Sequence, residues 1–294
     1  MKVLRDKVAV VTGAASGIGR GIARALAAEG CHVVVADVDG TGADTVAREL
    51  ARSGVDASGH PLDVTDRDAI EDLADQTWQR FGHVDICVNN AGVFPPMGPL
   101  IDQDEGNVRW VMDVNVMGTW YGCSAFGRRF QVQATEAHIL NVGSENSLGL
   151  PNTGAGFYTA SKHAVLALSD VLRWELPEYI GVSVLCPGMV ATNLSASTTR
   201  RPERFGGPFG GATRPMPGLD PNQIGDRAVE GIKRGDFYIL THPPVRRIVD
   251  ERYQELARAF DTQAPRYDGD DAIDTRARLP LRRPPGAGRP RPPT

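Results

Sequence analysis

The stretch that most limits what this chain can fold into is a glycine turn set between an apolar run and an alanine-rich segment. Residues 7–11, Lys-Val-Ala-Val-Val, form a short β-branched run of the kind that makes a parallel strand covered on both faces. Thr12-Gly13-Ala14-Ala15-Ser16-Gly17-Ile18-Gly19 follows at once, and residues 20–29 read as a helix. Strand, glycine turn and helix in that order predict the first unit of a dinucleotide-binding βαβ fold. Gly13, Gly17 and Gly19 permit a tight turn and a close approach of backbone to a pyrophosphate, with Ser16 and Ile18 between them. The helix N-terminus then offers free N–H groups and the positive end of its dipole.

A second strand, residues 32–36, ends in Asp37. An acid at about this distance past the glycines is expected to bind a ribose 2′-hydroxyl. Its carboxylate would repel a 2′-phosphate, and neither Val38 nor Asp39 supplies a compensating cation. The expected cofactor is therefore NAD and not NADP.

The rest of the chain keeps alternating. Helices are expected over residues 41–53, 66–81, 103–131, 158–178 and 222–234, and strands over 55–62, 85–88, 138–142, 182–185 and 237–240. Such alternation predicts an α/β fold, a Rossmann doubly wound parallel sheet of about seven strands with helices on both faces. Residues 1–265 read as one domain, in which the Gly-, Pro- and Arg-rich segment 193–221 is expected to be a substrate-binding loop or lid. A last helix opens at Pro243-Pro244 and carries apolar Val245, Ile248, Val249, Tyr253, Leu256 and Phe260. Residues 266–294, rich in Pro and Arg, read as a disordered tail.

Composition removes several classes. A formal net charge of -4 gives no general attraction to nucleic acid or to an anionic membrane, and no apolar run is long enough to span a bilayer. Cys31, Cys87, Cys123 and Cys186 are scattered, so they read as reduced core residues of a cytoplasmic protein, with no metal role.

Tyr158-Thr159-Ala160-Ser161-Lys162 sets a phenol and an ammonium four residues apart, on one face of a helix. A free phenol titrates near pH ~10, and a neighbouring cation lowers that value by favouring the phenolate. The pair is thus suited to moving a proton on and off an alcohol oxygen.

With these pieces placed, the chain resembles the short-chain dehydrogenase/reductase family over residues 7–241. The motifs that carry the likeness come in order: Thr12-Gly13-x-x-x-Gly17-Ile18-Gly19, Asn89-Asn90-Ala91-Gly92, Asn115, Ser144, Tyr158-x-x-x-Lys162 and Pro187-Gly188. The resemblance implies a Rossmann fold, a homotetramer or homodimer, and a catalytic tetrad of Asn115, Ser144, Tyr158 and Lys162. It places Asp63, Val64 and Asn90, with Ala91 and Gly92 beside them, along the adenosine half of the cofactor. Val190 and Thr192, after Pro187-Gly188, would meet the nicotinamide carboxamide. Ser144 would hold the substrate oxygen, Lys162 the nicotinamide ribose, and Asn115 a water that relays protons; Ser147 is a nearby rival to Ser144. Two departures stand out. Gly143 occupies a position where the family usually has a second Ser, and Glu145 directly follows the proposed catalytic Ser, facing either substrate or a neighbouring subunit.

Beyond Thr192, Asn193-Leu194, Arg201-Pro202, Phe205-Gly206 and residues 237–243 resemble a subgroup that includes bacterial dehydrogenases of benzylic, lignin-type alcohols. The expected substrate is a bulky, largely apolar alcohol or its ketone, against a wall that includes Phe94, with Ser144, Tyr158, Glu145 and Gly188 around it. A non-catalytic NAD(H)-binding scaffold or redox sensor is the alternative from another class.

Overall fold

The computed structural model describes residues 1–210, 217–264 and 266–269. Among these, seven strands form one parallel sheet: β1 (Val8–Thr12), β2 (His32–Asp37), β3 (Ala57–Pro61), β4 (Ile86–Asn89), β5 (Ala137–Val142), β6 (Ile180–Cys186) and β7 (Tyr238–Leu240). Their order across the sheet is β3-β2-β1-β4-β5-β6-β7. Helices connect them: α1 (Gly17–Ala28), α2 (Gly40–Ala51), α3 (Arg67–Phe81), α4 (Glu105–Met112), α5 (Gly118–Gln133), α6 (Gly156–Glu175), α7 (Pro221–Arg234) and α8 (Arg246–Gln263). This is the doubly wound architecture expected from the sequence.

Strand periodicity divides the core into two layers. Ala9 and Val11 of β1 point to Ile22, Leu26, Val46 and Ile224 of α1, α2 and α7. Val8 and Val10 point the other way, to Ile70, Leu73, Trp110 and Phe126 of α3 to α5. A strand buried on both faces needs apolar residues at every position, which explains the unbroken run at 8–11. The strand order reverses between β1 and β4, so the crevice for a ligand opens past the C-terminal ends of those two strands.

Several expectations shift. The single helix expected over 103–131 is α4 and α5 joined by a π-helical turn, Asp113–Met117, with Asn115 at its centre. Such bulges tend to sit at functional sites. Helix α6 stops at Glu175 and not at 178, because Leu176 precedes Pro177 and is pushed to extended backbone. Strand β3 is shorter than 55–62, and β6 begins two residues earlier than expected, at Ile180. The small residues of α5 serve internal packing: a Cβ at Gly118 would crowd Val64, and one at Gly122 would overlap the Asn89 side chain.

All four cysteines are free and buried. No described helix is long and apolar enough to cross a membrane. Within 193–221 the chain makes two 3-10 turns, Leu194–Arg200 and Glu203–Phe205, while residues 211–216 lie outside the described residues. Most of the expected tail, residues 270–294, also lies outside them. Helix α8 buries none of its residues, and Tyr253, Leu256 and Phe260 are exposed.

Candidate active site

The glycine turn carries two left-handed residues, Gly13 and Gly17. Gly13 has φ 64°, and a Cβ there would sit 2.7 Å from Ala91 Cα, so only glycine lets the ends of β1 and β4 meet. Thr12 locks the same junction: its hydroxyl accepts the backbone N–H groups of Asn90 and Ala91, at 3.0 and 3.1 Å. The Asn90 amide donates to the carbonyls of Thr12 and Gly13, at 2.8 and 3.0 Å, and so holds the turn itself. Helix α1 starts at Gly17; Ser16 makes no side-chain cap, and no acid stands in the first turn. The helix end is thereby left free for a negatively charged group.

At one end of the groove Asp37 is almost fully buried. Its two oxygens accept the N–H groups of Ala15 and Asp39, at 3.0 and 2.9 Å. Asp63 closes the neighbouring wall. Burial alone would raise its pKa, but hydrogen bonds from Thr65 and Arg204 outweigh that and hold it below the ordinary carboxylate value. Arg204 comes from the second 3-10 turn of segment 193–221, and from the first turn Arg200 reaches within 3.6 Å of Asp39. A cation thus stands beside the Asp37–Asp39 end. The residues adjacent to Asp37 gave no sign of it, because its position in the chain lies far downstream.

At the other end stand Ser144, Tyr158 and Lys162. Ser144 caps a short 3-10 turn, Glu145–Leu148, and its hydroxyl lies 3.2 Å from Asn146 Oδ1. Ser147, the rival serine, turns its hydroxyl away onto the Lys162 carbonyl at 2.7 Å. Tyr158 is buried beneath Phe94, with ring centroids 4.7 Å apart. Lys162 Nζ lies 5.7 Å from the Tyr158 ring centroid and donates to the Val142 carbonyl at 2.8 Å. Asn115 is fully buried: its oxygen accepts Val93 N–H at 2.8 Å, and its amide donates to Val93 O and to Ser161 Oγ. In the structure it therefore anchors the loop after β4.

The ionisation of the pair corrects one sequence expectation. Tyr158 is pushed up to about 12, not down, chiefly by burial; a hydrogen bond from Ser144 opposes this and the charge of Glu145 adds to it. Lys162 is pushed down to about 8, also by burial. Spacing on a helix brought the two groups together, but the dry surroundings it could not reveal act against both charged forms.

One cavity of about 700 Å³ runs from Asp37 to Tyr158 and is lined by every expected site residue except Asn115. That volume suits a small molecule and a cofactor portion, within the usual range for ligand sites. Segment 193–221 contributes Leu194, Ser197 and Arg200 to the lining, and α4 with the π turn contributes Trp110 and Val114. Of these five, sequence reasoning named only Leu194, as part of the subgroup resemblance and not as a lining residue.

Fold and groove define a Rossmann-type nucleotide-binding protein with a buried Ser/Tyr/Lys cluster at the open end of its sheet. Residues 7–203 match the family described as short chain dehydrogenase, and the chain belongs to that family. It is 35% identical over 257 residues to the probable oxidoreductase EphD of Mycobacterium tuberculosis, a match that covers 84% of this chain and only 42% of that protein. Against the 1-deoxy-11-beta-hydroxypentalenate dehydrogenase of Streptomyces exfoliatus identity is 33%, covering 89% of this chain and 92% of the relative. The C alpha-dehydrogenase of Sphingobium sp. is 29% identical, covering 90% and 89%, in line with the resemblance of the C-terminal part to lignin-type dehydrogenases. A short chain dehydrogenase/reductase from Burkholderia phymatum, solved in complex with NAD, superposes with a TM-score of 0.81 at 32% identity, over 91% of this chain and 99% of that one.

Proposed function

We propose that the chain is an NAD-dependent dehydrogenase that interconverts a bulky, largely apolar secondary alcohol and its ketone. The observation that carries this reading is the single cavity in which Ser144, Tyr158 and Lys162 share space with the glycine turn and Asp37. The residues present fit the cofactor: a free helix end and close-approach glycines for the pyrophosphate, Asp37 for ribose hydroxyls, and Val190 and Thr192 toward the carboxamide. The nicotinamide, when bound, supplies the hydride chemistry. Tyr158 takes or returns the hydroxyl proton, and Ser144 hydrogen-bonds the same oxygen as charge develops on it. Lys162 offers its remaining protons to the ribose, and Asn115 holds the Val93 backbone beside it and belongs to the proton path to solvent.

The wall formed by Phe94, Trp110, Val114 and Leu194 supports an apolar substrate. The likeness to a 1-deoxy-11-beta-hydroxypentalenate dehydrogenase and to a C alpha-dehydrogenase supports the same class. Assembly as a homotetramer or homodimer is part of this reading. The Tyr158→Phe variant tests it: NADH binding, followed by fluorescence, should be retained, while turnover of a panel of hydroxysteroids, aryl carbinols and cyclic alcohols falls at least a thousandfold. Tight NADH binding by the parent with no turnover of any such compound would instead favour the non-catalytic scaffold.

A further inference from the structure

One charged side chain at the substrate end has no part in the proposed proton transfer. Glu145 follows Ser144, and its backbone N–H donates to the Pro187 carbonyl at 2.8 Å. Its carboxylate lines the cavity, half-buried, with no hydrogen bond or ion pair among the described residues. Burial holds its pKa above the ordinary value, although His242 opposes this, and its charge reaches Tyr158 closely enough to resist ionisation of the phenol.

The carboxylate lies where it does because of what stands beneath it. A Cβ at Gly188 would overlap Glu145 Oε2 and approach His242 Cγ to 2.7 Å, so the glycine leaves the room that the carboxylate fills. His242 fixes that floor from below. Its Nδ1 accepts the Gly188 N–H at 3.0 Å and its Nε2 lies 3.0 Å from the Met189 carbonyl. Thr241 Oγ1, 2.7 Å from Nδ1, completes the contact. A half-buried acceptor without a donor is costly unless a ligand supplies one.

We propose that Glu145 is a specificity residue that accepts a hydrogen bond from a second hydroxyl of the substrate, near the carbinol being oxidised. Diols and hydroxyketones are then the preferred substrates, and hydroxy acids, which would bring a second anion to the site, are rejected. The proposal rests on the dehydrogenase reading of the same site.

The test compares three compounds on one frame, 1-phenylethanol, 1-phenylethane-1,2-diol and mandelate, by NAD reduction at saturating NAD and pH 8. For the parent, kcat/KM for the diol should exceed that for the simple alcohol by about ten- to a hundredfold, the range for one hydrogen bond to a charged group. In Glu145→Leu that ratio should fall to about one. Glu145→Gln, which keeps an acceptor without the charge, should retain part of the preference and admit mandelate. NADH titration of each variant reports that the fold and cofactor site survive. A parent with no diol preference, or a preference that Glu145→Leu leaves intact, overturns the proposal while the dehydrogenase reading stands. Loss of the reading itself shows differently: no compound is turned over by the parent, or Tyr158→Phe keeps the parental rate.

Discussion

Replacing Asp37 by Ser should collapse the discrimination between NAD and NADP. An ionised carboxylate has about four lone-pair positions, and Asp37 spends two of them on Ala15 N–H and Asp39 N–H. Two remain to receive ribose hydroxyls. A hydrogen bond to a charged group is worth about 1.5–3 kcal/mol. Two such bonds sharing one carboxylate do not add fully, so about 2–4 kcal/mol is the expected loss. At about 1.4 kcal/mol per decade, that is roughly a thirty- to eight-hundredfold rise in KM for NAD. For NADP the sign reverses, because a buried anion that repels the 2′-phosphate is removed. Arg200, now 3.6 Å from Asp39, becomes the nearest cation at this end, so Asp37→Ser with Asp39→Ser should favour NADP further. Initial rates with each cofactor at one saturating alcohol give the ratio of kcat/KM values directly. A selectivity ratio unchanged within threefold in the single variant would refute the role assigned to Asp37. A thermal unfolding scan of the variant checks that the two backbone N–H groups left behind have not loosened the turn.

Proton-transfer rates should carry the mark of burial. Ketone reduction needs the Tyr158 phenol and the Lys162 ammonium together; it should be flat near neutrality and fall about tenfold per pH unit above about 8, where Lys162 loses its proton. Alcohol oxidation needs the phenolate, which gains tenfold per unit up to about 12, so its rate should climb to about pH 8 and then level off as the two changes cancel. A reduction rate that holds steady to pH 10 would contradict this. Gly122→Ala should destabilise the fold, since its methyl would strike Asn89 Oδ1 and disturb the buried chain from Asn89 through Asn141 to Ser169. About 2–3 kcal/mol of overpacking cost, at roughly 2–4 °C per kcal/mol, lowers Tm by about 5–10 °C; a Tm within 2 °C of the parent would count against the packing argument.

The fold was legible because its signals are local. β1 needs apolar residues at every position, the glycine turn has one backbone solution, and both are written in consecutive residues 8–19. Tyr158 and Lys162 were legible as types at a spacing, while Asn115 and Ser144 were proposed from the family resemblance. What spacing cannot carry is the partner of each group. Ser144 and Ser147 are three residues apart and chemically alike. Only the turn between them sends one hydroxyl to the cavity and the other to the Lys162 carbonyl. Thr12 looks like an ordinary strand end, yet it accepts two N–H groups from the loop after β4, some 78 residues downstream. Arg200 and Arg204 belong to a segment without periodicity, and their reach to Asp39 and Asp63 depends on how that segment folds back. The π turn at Asn115 was not read from the sequence, where residues 103–131 read as one continuous helix.

The phenol shows most clearly why geometry alone was insufficient. Raising Tyr158 from its usual 10 to about 12 corresponds to two decades, or about 2.7 kcal/mol against the phenolate. With Lys162 Nζ 5.7 Å from the ring the phenol still stands at about 12, so the lysine does not make it strongly acidic. Lys162 also carries its own burial cost, which is why it holds its proton less firmly than a free lysine. The pair therefore rests as phenol and ammonium at neutral pH, the form that gives a proton to a ketone oxygen. Driving the reverse reaction requires further positive charge or hydrogen-bond donors near the phenol oxygen, and Ser144 is the protein group already acting in that sense. Ser144→Ala should accordingly slow oxidation more than reduction, because the phenolate loses its donor while the phenol loses little.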